Sequence, residues 1–451
     1  MRGMVFIKNL KHIRTKYMRN IRHYSLFLLI STYFNLFPYI QAFSQTDSLY
    51  SYLEIAAKNN PTILQKFSEY QVALQKIPQT GSLSDPELSL GVFLKPMELV
   101  SGNQVADIRL MQMFPWFGVL KNAKDEMSLM ANAKFELFRD AKLQVFYDVQ
   151  RTWYDLYKIQ KDITISEKNI EILKVIERLA LVRFKTGSMG SSAGSSGLAD
   201  LYRIQMESGE LENNIALLKN QEQTVIALFN SYLNRSPVSP VFTGEVLVTD
   251  SLGLSLIAVS DSILTKNPML NMLEFEKQSF SARKRMVTGM GYPMVGLGLN
   301  YSLIGKNEMS TSSMNGKDMI MPMVSISLPI YRKKYTAMQK EADLLGIAAS
   351  QNYQATANSL QTEYYQAVQL YQDAQRRVKL YENQYQLASK SLDLILKSFS
   401  TSASGLTDVL RVRQQTLDYG LKQAEAVADF NTAVAWLKRL GSLEINGNKW
   451  K

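Results

Sequence analysis

The chain has no cysteine and only two histidines in 451 residues. Both, His12 and His23, fall in a leader that reads as cleaved, so the exported remainder carries neither residue type. That excludes together disulfides, zinc sites of the usual Cys/His kind, Ser-His-Asp or Cys-His nucleophilic catalysis, and a lipobox for an N-terminal lipid anchor. No glycine-rich phosphate loop is present, and no Asp/Glu pair stands out for carboxylate hydrolysis, so the reading is of a non-enzyme without cofactor. Proline is scarce, 12 in the whole chain, and long stretches run without any breaker, the profile of long helices. Acidic residues are absent from positions 1–45, which hold Arg2, Lys8, Lys11, Arg14, Lys16, Arg19 and Arg22. The formal charge of +11 is therefore mostly leader. The remainder has no global basic surface and no reason to bind nucleic acid.

The leader, residues 1–45, is expected to be a secretory signal: basic residues, an apolar stretch over Tyr24–Phe43, then Ala42-Phe43-Ser44-Gln45 with cleavage near Ser44 or Gln45. Starting from Met18 gives a signal of ordinary length. The alternative is a transmembrane anchor, which Asn35, Pro38 and Gln41 interrupt.

What is present is a duplication. Gly197-Leu198-Ala199-Asp200-Leu201-Tyr202-Arg203 matches Gly405-Leu406-Thr407-Asp408-Val409-Leu410-Arg411, and Asn59-Asn60-Pro61 echoes Lys266-Asn267-Pro268. Asp85-Pro86 and Tyr292-Pro293 each precede an alternating run. Phe114-Pro115-Trp116 and Leu328-Pro329-Ile330 each open a long helical pattern. A tandem unit of this kind builds a ring or tube. The first repeat spans 46–236, the second 259–442, with a linker or equatorial segment at 237–258 and a tail at 443–451. Each repeat reads as one helix, two strands and two long helices. The first has a helix over Asp47–Ile77 ending at Pro78, strands at about 88–94 and 105–114, and helices at about 115–184 and 198–233. The second has a helix over Asp261–Val287, strands at about 294–303 and 318–328, and helices at about 331–396 and 406–440. In the linker, Val241, Val246 and Val248 hint at a small strand or irregular belt.

The strands alternate. Val295, Leu297, Leu299 and Tyr301 share one parity, as do Ile320, Pro322, Val324, Ile326 and Leu328, while the opposite parity is mixed. An apolar face over about ten residues suits a transmembrane β-strand, although a soluble half-buried sheet alternates too. Four strands cannot close a barrel, and hydrocarbon tolerates no open edge, so the reading requires oligomerisation. Two copies give eight strands and three give twelve, and only the larger barrel leaves an open lumen.

In this order the landmarks resemble the TolC-type outer-membrane efflux proteins. The resemblance rests on the duplicated order, the joints at Pro115 and Pro329, and the tips Gly197–Leu201 and Gly405–Leu410. It implies a mainly α fold with a small β part, assembled as a homotrimer: a trimeric α-barrel tunnel across the periplasm and a twelve-stranded β-barrel in the outer membrane of a Gram-negative bacterium. It also implies docking to a periplasmic adaptor and an inner-membrane pump of the resistance-nodulation-division type, with no cofactor and no catalysis. The family's gate aspartates correspond to Asp408 and Asp200. The position three residues on is Arg411, with Arg203 in the first repeat, so a doubled acidic ring gives way to an ion-paired lock as the competing reading, and simple helix-start capping is the third. The adaptor-docking tips fall on Gly187, Gly197, Leu198, Leu201, Gly405, Leu406 and Val409.

Methionine is abundant, 21 residues, and crowds Met286–Met323. Met319, Met321 and Met323 share the face assigned to the lumen, and thioethers ligate Cu(I) and Ag(I). The alternative is flexible apolar packing. The expected cargo is copper or silver, or else small toxic compounds. Type I secretion of polypeptides and a soluble periplasmic coiled-coil adaptor are the competing functions.

Overall fold

The computed structural model describes residues 49–185, 194–244, 246–401 and 404–443. The leader at 1–45, Gly187 in the first tip and nearly all of the 443–451 tail lie outside them. The order of elements is α1 (Leu49–Asn59), α2 (Pro61–Gly81), β1 (Glu87–Leu99), β2 (Gly102–Phe114), α3 (Val119–Lys185) and α4 (Gly194–Tyr232). The second repeat continues with α5 (Leu256–Lys266), α6 (Pro268–Met290), β3 (Met294–Gly305), β4 (Met319–Ser327), α7 (Arg332–Ser400) and α8 (Leu406–Leu440).

The single leading helix expected in each repeat is in fact two. The cause is the Asn-Pro pair at the break. Asn60 takes an extended conformation and its carboxamide oxygen accepts from the amides of Thr62 and Ile63 at 2.9 and 3.3 Å. Asn267 does the same for Met269 at 3.0 Å. In both, proline fills the first helical position, where its missing N–H costs nothing. The other end of each carboxamide reaches across the fold: Asn60 Nδ2 donates to the Tyr232 carbonyl at 2.8 Å, and Asn267 Nδ2 to that of Leu440 at 3.2 Å. Each asparagine thus starts one helix and satisfies the open C-terminal end of another. Pro78 does not end α2, which continues to Gly81. It lies in the last turn, where losing one ladder hydrogen bond is least disruptive.

The long helices α3 and α7 have 67 and 69 residues, about 100 Å each at 1.5 Å per residue. α3 begins at Val119 rather than at Pro115, because Gly118 turns the chain with φ of 84°. Around the middle of the long helices, α1 and α2 pack on α3 and α4 through Tyr52, Leu53, Val149, Leu156 and Phe229. The equivalent packing of α5 and α6 on α7 and α8 uses Val259, Ile263, Leu270, Ala367 and Leu437. At the end far from the sheet α3, α4, α7 and α8 share a core of Ile170, Leu173, Ile176, Ile204, Phe399 and Val409. The 237–255 linker forms no strand among its described residues. Val241 is buried, Val246 and Val248 are exposed, and side chains hold the backbone instead: Asn431 Oδ1 accepts from the Asp250 amide at 2.6 Å, and Lys438 pairs with Asp250 at 2.6 Å.

The four strands form one antiparallel sheet in the order β1-β2-β3-β4, so the two repeats are joined edge to edge by β2 and β3. β1 runs on to Leu99, past the expected end near 94, and a register shift between Val92 and Met97 absorbs Pro96. A bulge is where a strand tolerates proline.

Candidate functional site

The sheet is the first functional surface. Its register brings the apolar parity of all four strands to one face, in rows such as Leu88–Leu110–Leu299–Pro322 and Leu90–Ile108–Tyr301–Ile320. That face is open: Leu90 is 69% exposed and Val324 71%. A soluble sheet buries such a face. The opposite face carries Asp107, Arg109, Asn300, Ser302 and Ser325 together with the methionines. The strands have 13, 13, 12 and 9 residues, the reach needed to cross hydrocarbon when tilted. At their helix-proximal ends Trp116 stacks on Tyr292 with ring centroids 5.2 Å apart, and Phe117 and Tyr331 are exposed beside Pro115 and Pro329. Aromatic residues at that level match the interfacial girdle of membrane barrels. The outer edges of β1 and β4 pair with no other described strand. Among the described residues no helix is long and apolar enough to cross a membrane.

The second surface is the far end of the helices. Asp408 lies in the first turn of α8 and pairs with Arg411 on its own helix at 3.0 Å, both side chains exposed. Asp200 sits beyond the first turn of α4, which begins at Gly194, so a helix-start role is open to Asp408 but not to Asp200. Arg203 Nη1 donates to Thr407 Oγ1 at 3.2 Å, which joins the tip of the first repeat to that of the second. The tip residues divide. Leu198 and Gly405 are exposed and Leu201 is half-buried, whereas Gly197, Leu406 and Val409 are buried. Leu406 and Val409 therefore build the tip core and offer a docking partner no surface.

Sequence reasoning missed Arg413. It occupies the buried stripe of α8 between Val409, Leu410 and Thr416, is 3% exposed, and binds Glu207 of α4 and Gln414. Burial pulls its pKa below the usual arginine value, and the Glu207 charge offsets part of that. The pair spans a cleft of about 460 Å³ between α4 and α8 that Arg203 and Arg411 also line. An arginine at an apolar position of the stripe was the available signal. Arg183 at the end of α3 adds a third tie, lying 4.4 Å over the Phe399 ring and donating to the Ser404 carbonyl at 3.3 Å. Midway along α3, burial pushes the Asp162 carboxyl up to about 7. Lys158 opposes that shift and Glu425 of α8 reinforces it.

This architecture is the fold of the outer-membrane efflux channels. The outer-membrane channel OprN matches with a TM-score of 0.72 at 14% identity, covering 88% of this chain and 90% of that one. CusC, described for its folding and transmembrane channel formation, matches at 0.70 and 14% identity, covering 88% and 92%. The outer-membrane protein VceC of Vibrio cholerae matches at 0.69 and 14% identity, covering 87% and 96%. No protein-family model matches the chain, and no curated protein matches it.

Proposed function

We propose that this chain is the passive exit duct of a tripartite efflux system, a homotrimer in the outer membrane of a Gram-negative bacterium with its helices extending through the periplasm. The observation that carries the reading is the four-stranded sheet with an exposed apolar face, a polar face and two edges that no other described strand pairs. Such a wall is stable in hydrocarbon only when copies pair β4 to β1 and close a barrel. Three copies give twelve strands and a lumen lined by the Asp107–Arg109–Asn300 face. The far tips meet a periplasmic adaptor, which couples the duct to an inner-membrane pump of the resistance-nodulation-division type. The duct itself binds no cofactor and performs no chemistry. Its gate is held at the tips by two ties between α4 and α8, Arg203–Thr407 and Arg413–Glu207, beside the Asp408–Arg411 pair on α8. The cargo is a metal cation of the copper and silver kind, or a small toxic compound.

The test is extraction and conductance. The chain should require detergent, run as a heat-modifiable trimer and form channels in planar bilayers. A freely soluble, monomeric, non-conducting chain would overturn the proposal. Sensitivity of a deletion strain to copper and silver salts, beside lipophilic drugs and bile salts, separates the two classes of cargo.

A further inference from the structure

The methionines of β4 are joined by two from the other repeat. On the polar face Met111 and Met113 of β2 lie opposite Gly298 and Gly296 of β3, and those glycines lie opposite Met323 and Ser325 of β4. The two glycines leave a hollow, and the thioethers fill it. A Cβ built on Gly296 would stand 2.6 Å from Met113 Sδ and 3.2 Å from Met111 Sδ, and one on Gly298 would stand 3.0 Å from Met111 Sδ. Both sulfurs also approach one hydroxyl, that of Ser325, at 3.6 and 3.7 Å. Two thioethers from one strand thus converge in the space the glycines leave, with Met323 in register across Gly298 and Met321 next along the same face of its strand. Glu87 is the register partner of Met111 on the same face, placing a carboxylate at the rim to balance a cation.

We propose that Met111, Met113 and Met323 form a binding site for a monovalent soft cation, Cu(I) or its analogue Ag(I), on the inner wall of the sheet. Neutral, polarisable thioethers prefer such ions over divalent hard ones. A Cys-free, His-free wall of this kind has no competing thiolate or imidazole to trap the ion, so it can be held and released. Packing alone does not require the arrangement. Packing accounts for glycine opposite each long side chain, but a leucine fills volume as well as methionine does, so packing gives no reason for the side chains around the hollow to be thioethers. The proposal deepens the duct reading, from which it takes that this face lines the lumen.

The test uses the full chain in detergent. Ag(I) bound after dialysis is counted by mass spectrometry, Cu(I) affinity is read by competition with bicinchoninate, and X-ray absorption gives the ligand shell. The unaltered chain should hold one Ag(I) per copy in a sulfur shell. The triple variant Met111→Leu/Met113→Leu/Met323→Leu should bind at least about tenfold more weakly, a change of about 1.4 kcal/mol. Met309→Leu/Met314→Leu, in the β3–β4 connection, should bind as the unaltered chain does. Equal binding by all three, or a shell of oxygen and nitrogen, overturns the site. Bilayer conductance of the leucine triple reports on the duct separately. A conducting channel with no silver at Met111 sinks the site alone, and a silver-binding chain that never conducts sinks the duct alone.

Discussion

Arg413 stands where the stripe of α8 calls for a leucine, and its burial turns a surface charge into a constraint between repeats. Removing one partner of a buried pair leaves the other charge uncompensated. Glu207→Ala should therefore destabilise the folded chain by about 3 kcal/mol, read as a shift in the denaturation midpoint. Replacing both, Arg413→Met with Glu207→Leu, should recover most of that loss. If the pair also holds the gate, the double variant should conduct more at rest than the unaltered duct. Asp162 makes a different demand. Its folded pKa, about 7, lies above that of an ordinary carboxylate, so the folded state holds its proton more tightly than the unfolded chain. Its contribution favours folding at low pH and is lost as pH rises from about 4 toward 7. Asp162→Asn should remove that part of the slope and raise the melting temperature at pH 8. An unchanged pH profile would show that the carboxyl is solvated. Neither residue could be singled out from the sequence, because burial between elements 200 residues apart depends on how the repeats close on each other. Arg413 at least left a trace, as a charge in an apolar register.

At the scale of elements, the four long helices and four strands were legible because each has one dominant period and a punctuating Pro or Gly. The repeat offset identified Asn60 and Asn267 as equivalent positions. It did not identify them as helix breaks, because periodicity runs straight through a break whose two sides share an apolar face. Their role lies in tertiary hydrogen bonds to Tyr232 and Leu440. Asn60→Ala and Asn267→Ala should each cost about 1–2 kcal/mol, a lost cap plus an orphaned carbonyl, measured by chemical denaturation. The tips show the converse limit. Leu198 and Val409 look alike in sequence, yet one is exposed and the other fully buried. Leu198→Asp should lower export while the trimer assembles normally. Val409→Asp should disrupt the tip core itself, lowering oligomer yield before any effect on docking can be seen. Met111 and Met113 stayed out of view for a related reason. Only the pairing of β2 with β3, between repeats, sets them opposite the glycines.

For the whole assembly the two faces of the sheet make opposite predictions. Leu297→Lys, on the apolar face, should cost about 2–4 kcal/mol in the membrane and reduce recovery of the heat-modifiable oligomer. Ser89→Lys, on the polar face, should leave recovery unchanged and alter ion selectivity. If the two exchange behaviours, Ser89 rather than Leu297 faces lipid, and if they behave alike the sheet is not in lipid. The outer edges of β1 and β4, which no other described strand pairs, also bear on stoichiometry. A strip with one free margin on each side has no residue that specifies a copy number. In a closed barrel the tally is set by curvature, since addition ceases once the last margin meets the first. Substitutions that flatten or sharpen the strip, such as a bulky side chain at Gly298 where backbone and sulfur crowd the missing Cβ, should then change how many subunits the ring contains before they change how firmly neighbours adhere. Stoichiometry in such a protein is an angle, inherited from a handful of strands.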